Sequence, residues 1–348
     1  MFFASDNTGP AHPQVLAGLG QANEGYAAPY GTDELNLTVR ERLRSLFEAP
    51  EAAVYLVATG TAANALALAT LSRPWDTIFC TRQAHIEADE CNAPEFYTGG
   101  AKLTLVGDAD KLDPDTLRAA IGSKEFLGVH GPQRGPVALT QVTEMGQVYS
   151  CAEIAALGAV AHDYDVPLYM DGARFANAVA ALGCTPAEMT WKAGVDAVSF
   201  GATKNGCLGV EAVIFFDPAH AWEFELRRKR GAHLFSKHRF LSAQMDAYLE
   251  DGLWLRSAQA ANASAARLAE GLRGVPGCTF LAEPQANMIF ARLPRAAHQR
   301  LQAAGAVYGL YEGPLGEGAP DEPLLMRLVC DWSCPPDAID RFIATASG

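Results

Sequence analysis

The sequence predicts an α/β fold, with a mostly parallel β-sheet in a larger first unit and a smaller α+β unit after it. Short apolar segments alternate with longer Ala- and Leu-rich amphipathic segments through most of the chain, which is typical of strand–helix–strand units. The pattern changes after about Asp251, and 348 residues exceed the usual length of one domain. We therefore expect a large unit over residues 1–251 and a small unit over residues 252–348.

Seven segments of the first unit have the length and apolar character of buried strands. They are 53–57, 77–80, 103–106, 126–129, 167–170, 197–200 and 212–216. Helices are expected over 62–71, 150–164 and 258–272, the last of which begins the second unit. That unit adds strands near 286–293 and 324–330, a Gly- and Pro-rich loop over 313–323 and a terminal helix over 336–346.

The composition is that of a folded protein with an acidic surface. Apolar residues make up 49% of the chain, and 27 Lys and Arg against 40 Asp and Glu give a formal net charge of −13. An acidic surface repels nucleic-acid phosphates and anionic lipid headgroups. We therefore expect neither nucleic acid nor a membrane as a partner.

The N-terminal stretch and the cysteines predict a cytoplasmic protein. MFFASDNTGPAHP lacks the features of a signal peptide, and no apolar stretch approaches the roughly 20 residues that span a bilayer. The eight cysteines are scattered and mostly lie in apolar contexts, so we expect reduced, structural residues. Cys330 and Cys334 have no histidine cluster nearby, so no metal site is predicted.

A strand that ends in a turn of small residues is the first of three features that carry chemistry. The segment 53–57 continues into ATGTAANALAL, so Gly60 and Thr61 begin a helix whose free N–H groups and positive dipole end favour a phosphate. A plain helix cap explains the same residues. The nucleotide-binding motifs G-x-G-x-x-G and G-x-x-x-x-G-K-[ST] are absent here. Taken alone, the turn favours the helix cap.

The second feature is VPLYMDGARFANA, residues 166–178. Mainly apolar residues lead into Asp171 and Arg174, which places both side chains at the carboxyl end of a buried strand, where α/β sheets bind ligands. A carboxylate buried there needs a cationic partner. That partner is either a ligand or Arg174, in which case the pair only neutralises itself.

The third feature is Lys204, which follows the strand 197–200 in the turn GATKNG. Lys204 lies near Asp171 if their two strands are neighbours. An ordinary lysine, with a pKa of ~10.4, is a poor nucleophile at neutral pH, but desolvation or nearby cations lower the pKa and suit the amine to Schiff-base chemistry. A surface lysine is the alternative, although the surrounding small residues leave room for a bound ring.

Together these features predict the cofactor pyridoxal 5'-phosphate, which requires a phosphate site, a carboxylate for its ring nitrogen and a lysine for its aldehyde. The chain also resembles, along nearly its whole length, the low-specificity L-threonine aldolases. The resembling blocks are FASDNTGPAHP, YGTDE (30–34), ATGTAAN (58–64), AHIEADE around His85, MDGAR (170–174), SFGATKNG (199–206), SKHRFLSAQ (236–244) and MRLVCDW (326–332).

The resemblance implies the three-layer fold type I of pyridoxal-phosphate enzymes, the aspartate-aminotransferase fold. It also implies that Lys204 binds the cofactor's aldehyde, that Asp171 pairs with the pyridinium nitrogen and that His85 stacks on the ring. Further implied cofactor contacts come from Gly60, Thr61, Arg174, Thr203 and, lent by a neighbouring subunit, Arg239. Implied contacts with the amino acid substrate come from Ser5, Tyr30, Arg174 and Arg327, and the two arginines suit its α-carboxylate.

The activity implied by the resemblance is an aldehyde-lyase reaction. L-Threonine, L-allo-threonine and related L-3-hydroxy-α-amino acids are cleaved reversibly to glycine and an aldehyde. A base must accept the β-hydroxyl proton, and His85 is the first candidate. His130 is the second, in VHGPQRG, which differs from the ENTHN-like run of many members.

Three alternatives stay open. A β-eliminating lyase or an aminotransferase of the same fold uses the same lysine and aspartate, and a ligand-binding regulator is the non-enzymatic alternative. The resemblance further implies a homotetramer, built as a dimer of dimers with active sites at the dimer interface. YGTDE and SKHR are the segments expected across that interface.

Overall fold

The computed structural model describes residues 1–348 and contains two β-sheets. The strands of the larger sheet are β1 (Ala53–Val57), β2 (Asp76–Cys80), β3 (Lys102–Leu105), β4 (Gln133–Thr140), β5 (Leu168–Gly172), β6 (Ala197–Gly201) and β7 (Glu211–Phe215). Across the sheet their order is β1-β7-β6-β5-β4-β2-β3. Only β7 runs antiparallel to its neighbours β1 and β6. The predicted mostly parallel α/β fold is confirmed.

Fourteen α-helices surround the sheets, and none is both long and apolar enough to cross a membrane. They are α1 (Pro13–Ala22), α2 (Glu34–Leu46), α3 (Gly60–Leu71), α4 (His85–Ala88), α5 (Ala93–Thr98), α6 (Pro114–Gly122), α7 (Cys151–His162), α8 (Phe175–Leu182), α9 (Pro186–Met189), α10 (Ala221–Arg230), α11 (Arg239–Leu249), α12 (Leu253–Arg273), α13 (Arg295–Ala303) and α14 (Pro336–Ser347).

Both faces of the larger sheet are covered, which explains why its strands are apolar without alternation. On one face, Phe200 of β6 packs with Phe175 of α8, Tyr248 of α11 and Trp254 of α12. The opposite face is covered mainly by the small side chains of α3, together with Phe224 of α10. The result is three layers, helix on sheet on helix, as predicted.

The smaller sheet is antiparallel and lies in the C-terminal part of the chain. Its strands are β8 (Thr279–Phe280), β9 (Met288–Pro294), β10 (Gly309–Leu310) and β11 (Pro323–Val329), in the order β10-β11-β9-β8. Helix α12 joins the two parts, because Trp254 near its start packs in the large core and Leu268 near its end packs in the small one. The expected division at residue 251 assigns Phe3 to the large unit, whereas Phe3 is buried in the small core.

One predicted strand is wrong. Residues 126–129 form part of a 3₁₀ segment, Glu125–His130, and the strand of this region is β4 instead. Phe126 and Val129 are 89% and 94% exposed, and Gly128 interrupts the segment with φ 51 and ψ −137. Most of the apolar run in this segment is therefore open to solvent, whereas the PVALT part of β4 is almost wholly buried.

The remaining predicted elements are found within a few residues of their expected bounds. Six of the predicted strands correspond to β1, β2, β3, β5, β6 and β7, and the predicted helices correspond to α3, α7, α12 and α14. The two predicted C-terminal strands are β9 and β11, and most of the predicted loop before β11 is irregular. Because β1, β5 and β6 run in the same direction, their carboxyl ends meet at one edge of the sheet.

Truncation of Phe200 tests how the helices are held on the large sheet. Phe200 is fully buried among other aromatic rings, 5.6 Å from the centroid of Phe175 and 5.8 Å from that of Tyr248. We expect Phe200→Ala to lower the free energy of unfolding by about 3–5 kcal/mol, measured by urea denaturation. The matched control is Phe126→Ala, which should change it by less than about 0.5 kcal/mol. A large effect of the control would mean that residues 126–129 are buried after all.

Candidate active site

Three turns at the carboxyl edge of the large sheet bring the predicted residues together. Asp171 is near the end of β5, Lys204 lies in the 3₁₀ turn Thr203–Asn205 after β6, and α3 begins after β1. The turns approach closely, since a Cβ atom at Gly201 would lie 2.5 Å from the carbonyl oxygen of Ala173. Glycine at position 201 is therefore needed for this close approach.

Asp171 is buried and accepts hydrogen bonds only from neutral donors. The amide Nδ2 of Asn64 donates to its Oδ2 at 2.8 Å, and the backbone N–H of Ala173 donates to its Oδ1 at 3.0 Å. No cationic side chain of the chain pairs with this carboxylate, so the alternative in which Asp171 and Arg174 neutralise each other is wrong. Asp171 remains available to a cationic ligand group.

Arg174 pairs with Asp6 instead. Its Nε and Nη2 donate to the two carboxylate oxygens of Asp6 at 2.7 and 2.9 Å. Nδ2 of Asn287 also donates to Oδ2 of Asp6, at 3.0 Å. Burial alone raises the pKa of Asp6, but the charges of Arg174 and Lys204 and these hydrogen bonds hold it below its usual value. The carboxylate is therefore ionised and neutralises part of the charge of Arg174.

Lys204 is half-buried and its Nζ makes no hydrogen bond or ion pair within the chain. The turn that carries it is fixed by its neighbours: Asn205 Nδ2 donates to Tyr248 Oη at 2.6 Å and to the carbonyl of Trp254 at 2.7 Å. Beneath the turn, the buried Glu211 accepts a bond from the backbone N–H of Ala202 at 2.8 Å. The backbone is thus held rigidly while the amine stays free.

Two backbone N–H groups at the start of α3 are free for an anion. Thr59 is the N-cap, and its side chain accepts a bond from Ala62 N. The N–H groups of Gly60 and Thr61 donate no hydrogen bond, and a Cβ at Gly60 would meet nothing within 4 Å. The helix cap and the phosphate site are therefore compatible. The hydroxyl of Thr203, also expected at the phosphate, accepts a bond from Val210 N at 3.1 Å.

A buried polar chain joins His85 to Asp171. His85 Nδ1 lies 2.8 Å from Oε1 of Glu90, and Asn64 Nδ2 donates to the same oxygen at 2.7 Å and to Asp171. Tyr169 Oη fixes the amide by donating to Asn64 Oδ1 at 2.7 Å. The side chain of Glu90 is 0% exposed, and that of His85 is 30% exposed. His85 is thus oriented by a buried carboxylate rather than lying free on a surface.

The pKa of His85 is raised, chiefly by its hydrogen bond to Glu90, although partial burial opposes the shift. Burial raises the pKa of Glu90 as well. Because Nδ1 faces Glu90, the other ring nitrogen, Nε2, is the one left without a partner in the chain. The imidazole of His85 therefore stays protonated, and can donate a proton, up to a higher pH than an ordinary histidine.

Arg327, on β11, is an arginine without an acidic partner. Its Nη2 donates to the carbonyl of Ala4 at 3.1 Å, its buried Nε has no partner, and its guanidinium lies 5.9 Å from the ring centroid of Tyr311. Ser5 is the next residue after Ala4, and its Oγ accepts a hydrogen bond from Asn7 N at 3.1 Å. Residues 4–6 therefore link Arg327 to Arg174.

Tyr30 and Arg239 lie in a different part of the chain. Tyr30 N donates to the carbonyl of Ser236 at 3.1 Å, and Arg239 Nη1 donates to the carbonyl of Gly25 at 3.1 Å. YGTDE and SKHR are thus in mutual contact, beside an open cleft of about 630 Å³ that Arg239 lines. No hydrogen bond of Tyr30 or Arg239 reaches Lys204 or Asp171 of the same chain.

His130 lies at the opposite edge of the sheet. It precedes Gln133, the first residue of β4, whereas Thr140 at the other end of that strand is in register with Asp171. At roughly 3.3 Å per residue, the strand alone separates the two ends by about 23 Å. His130 is also exposed. The geometry therefore contradicts the prediction that His130 is a base.

Four site residues were not predicted: Asp6, Asn64, Glu90 and Glu144. The first three lie inside the blocks FASDNTGPAHP, ATGTAAN and AHIEADE, so a signal for them was present. Each of these three side chains is itself buried, and a buried polar side chain needs a hydrogen-bonding partner. Glu144 follows β4 and gives no such signal.

The residues at this edge fit pyridoxal phosphate. Lys204 offers an amine without a partner, Asp171 a buried carboxylate without a cation, and Gly60 and Thr61 two free N–H groups at a helix start. These are the amine, the counter-charge and the anion site that the cofactor needs. No cluster of His, Cys, Asp and Glu side chains suited to a metal ion is present.

The same conclusion follows from similar proteins. The chain is 40% identical over 331 residues to a low specificity L-threonine aldolase of Pseudomonas aeruginosa, and 39% identical to one of a Pseudomonas species; each alignment covers 95% of this chain and 92% of the relative. A threonine aldolase structure from Leishmania major superposes with a TM-score of 0.91 at 25% identity, covering 99% of this chain and 98% of that one. Residues 3–294 match the family described as beta-eliminating lyase. The chain therefore belongs to the beta-eliminating lyase family and, within it, to the low-specificity L-threonine aldolases.

Proposed function

We propose that this protein is a pyridoxal-phosphate-dependent aldehyde-lyase that cleaves L-threonine, L-allo-threonine and related L-3-hydroxy-α-amino acids to glycine and an aldehyde. The observation that carries the proposal is that the free amine of Lys204 and the buried, cation-free carboxylate of Asp171 follow neighbouring strands at one edge of the sheet. The names of the Pseudomonas and Leishmania relatives support the substrate.

Lys204, Asp171, Gly60 and Thr61 are the residues that would hold the cofactor. Pyridoxal phosphate, when bound, supplies an aldehyde for amines and a conjugated ring that draws electrons from a bond at Cα. Asp171 keeps a proton on the ring nitrogen, because a buried carboxylate favours a cation next to it. Asn64 and Ala173 hold the Asp171 carboxylate in place for this contact.

Arg327 is the residue that we assign to the substrate's α-carboxylate. Arg174, the other predicted candidate, already donates from Nε and Nη2 to Asp6, so Nη1 is its one nitrogen that makes no hydrogen bond in the chain. Arg327 has no acidic partner, and a planar guanidinium suits a planar carboxylate. Ser5 lies one residue from the carbonyl that Arg327 contacts, which supports a place for Ser5 at the same end of the substrate.

His85 is proposed to pack on the cofactor ring and to face the reacting atoms through Nε2. The Glu90 carboxylate fixes which nitrogen is turned inward, and it stabilises the imidazolium form. This gives His85 a donor's role toward the substrate or the departing aldehyde.

We further propose a cytoplasmic homotetramer, a dimer of dimers in which Arg239 and Tyr30 of one subunit complete the site of its partner. The contact between YGTDE and SKHR and the large exposed side chains of Tyr26 and Tyr30 support such an interface. We also propose that Thr203 and Arg174 contact the cofactor.

Lys204→Ala tests the centre of the proposal. With the amine removed, we expect release of aldehyde from L-threonine to fall below detection, and borohydride reduction of the holoenzyme should no longer label the chain. The matched control is Lys102→Ala, an exposed lysine on β3, which should keep wild-type turnover. If keto acid or ammonia is the product, the protein is an aminotransferase or a β-eliminating lyase instead.

Arg327→Ala tests the carboxylate site. Loss of a charged hydrogen-bonding partner of the substrate costs about 1.5–3 kcal/mol, so we expect KM for L-threonine to rise roughly 10- to 100-fold with a smaller change in kcat. The control is Arg341→Ala, an exposed arginine of α14. Unchanged KM in Arg327→Ala would assign the carboxylate to Arg174.

Glu90→Gln tests the electrostatic link to His85. The hydrogen bond to Glu90 raises the pKa of His85, so replacing the carboxylate with a neutral amide should lower that pKa, and His85 should lose its proton at a lower pH. NMR titration of the His85 ring protons measures the shift. Glu87→Gln, an exposed neighbour that makes no hydrogen bond through its side chain, is the control. An equal shift in both variants would contradict the direct link.

A further inference from the structure

Glu144 lies in a turn next to the proposed site, and the proposed function so far assigns no role to it. β4 ends next to Asp171, since Thr140 is in register with it and Gln141 N donates to the carbonyl of Asp171 at 2.8 Å. The chain then turns back, and Thr143 N donates to the carbonyl of Gln147 at 2.9 Å. Glu144 is therefore at the tip of a turn on the carboxyl edge of the sheet.

The turn is anchored on both sides of Glu144. The Thr143 hydroxyl bonds to the Asp110 carboxylate, and Met145 N donates to the same carboxylate at 3.3 Å. Gly146 has φ 83, and a Cβ there would lie 3.3 Å from the carbonyl oxygen of Met288, so this position favours glycine. None of these contacts uses the carboxylate of Glu144, which makes no hydrogen bond or ion pair. The fold holds the backbone of Glu144 and leaves its carboxylate free.

The charged groups that act on Glu144 are those of the site. Burial raises its pKa above the usual value, Arg174, Lys204 and His85 oppose the shift, and Asp171 adds to it. Asp110 faces the turn from its other side. A half-buried carboxylate with a raised pKa holds a proton more readily than a solvated one does, so it is a stronger base.

Cleavage of a 3-hydroxy-α-amino acid needs such a base. The β-hydroxyl must lose its proton as the Cα–Cβ bond breaks, and a group of the chain has to accept it. His85 is poorly suited, because Glu90 holds it in its protonated form over a wider pH range. His130 is at the other edge of the sheet. Among the groups that interact electrostatically with Lys204, Glu144 is the one carboxylate with no hydrogen-bonding partner.

We propose that Glu144 is a catalytic residue that accepts the β-hydroxyl proton of the substrate; this rests on the proposed aldehyde-lyase function. In the step, the hydroxyl O–H bond breaks and an O–H bond forms on the Glu144 carboxylate. The electron pair of the broken O–H bond becomes the second bond of the aldehyde carbonyl, and the pair of the Cα–Cβ bond stays with Cα. A proton added at Cα gives glycine, and Glu144 returns its own proton to water.

The test compares two reactions of the same holoenzyme, of which only one involves a β-hydroxyl. In Glu144→Gln we expect kcat for aldehyde release from L-threonine to fall roughly 10²- to 10⁴-fold. Exchange of the glycine α-proton with D₂O, followed by NMR, should stay at the wild-type rate, as should the affinity for pyridoxal phosphate in a spectroscopic titration. Glu144→Asp should recover part of kcat. Cleavage by the wild type should fall at low pH as Glu144 takes up a proton, and this fall should be absent from Glu144→Gln.

Other results overturn the proposal in recognisable ways. Equal loss of cleavage and exchange in Glu144→Gln and Glu144→Asp would make Glu144 a structural residue, and unchanged cleavage would remove it from the reaction. Glu317→Gln, in the exposed loop before β11, is the control and should behave as wild type. If the proposed function itself fails, the wild-type enzyme releases no aldehyde, an outcome independent of any Glu144 variant.

Discussion

The hydrogen bond from Asn64 to Asp171 is the interaction on which the site depends. Asp171 is buried at the end of β5, yet its hydrogen bonds come from the neutral groups of Asn64 and Ala173. A carboxylate buried in this way is costly unless a positive charge joins it. Since no arginine or lysine of the chain forms an ion pair with Asp171, the missing charge has to come from a ligand. A protonated pyridine nitrogen meets that need, which makes the fold itself an argument for the cofactor.

The same amide also couples two parts of the site. Asn64 donates from one nitrogen to both Asp171 and Glu90, and Glu90 orients His85. The position of the Asp171 carboxylate and the direction of the His85 imidazole are therefore set by one residue of α3, the helix whose first N–H groups donate no hydrogen bond. Residues 3–6 have a comparable role for the two arginines: Phe3 packs in the small core, the carbonyl of Ala4 accepts a hydrogen bond from Arg327, and Asp6 neutralises part of the charge of Arg174.

The local sequence pattern is enough to predict the large sheet and the functional residues that follow its strands. β1, β5 and β6 are short apolar runs followed by turns of small residues, and from them Lys204, Asp171 and the start of α3 were placed at one edge. The Asp6–Arg174 pair was out of reach, because 168 residues separate its members and the expected partner, Asp171, was closer in sequence. The prediction of a strand over 126–129 is wrong for another reason. The hydropathy of a segment depends only on which residues it contains, and only the packed structure shows that Phe126 and Val129 are exposed.

Lysine and aspartate at a strand edge do not decide which bond of the substrate breaks. They supply attachment and an electron sink, and these serve aldol cleavage, β-elimination and transamination alike. The choice depends on which groups surround the β-carbon and on the protons that they hold. Here Glu90 favours the protonated form of the His85 imidazole, which can donate a proton, while the carboxylate of Glu144 has no hydrogen-bonding partner. A donor and an acceptor that interact at the same edge of the sheet suit the exchange of a hydroxyl for a carbonyl, in which one proton must leave an oxygen and another must reach a carbon.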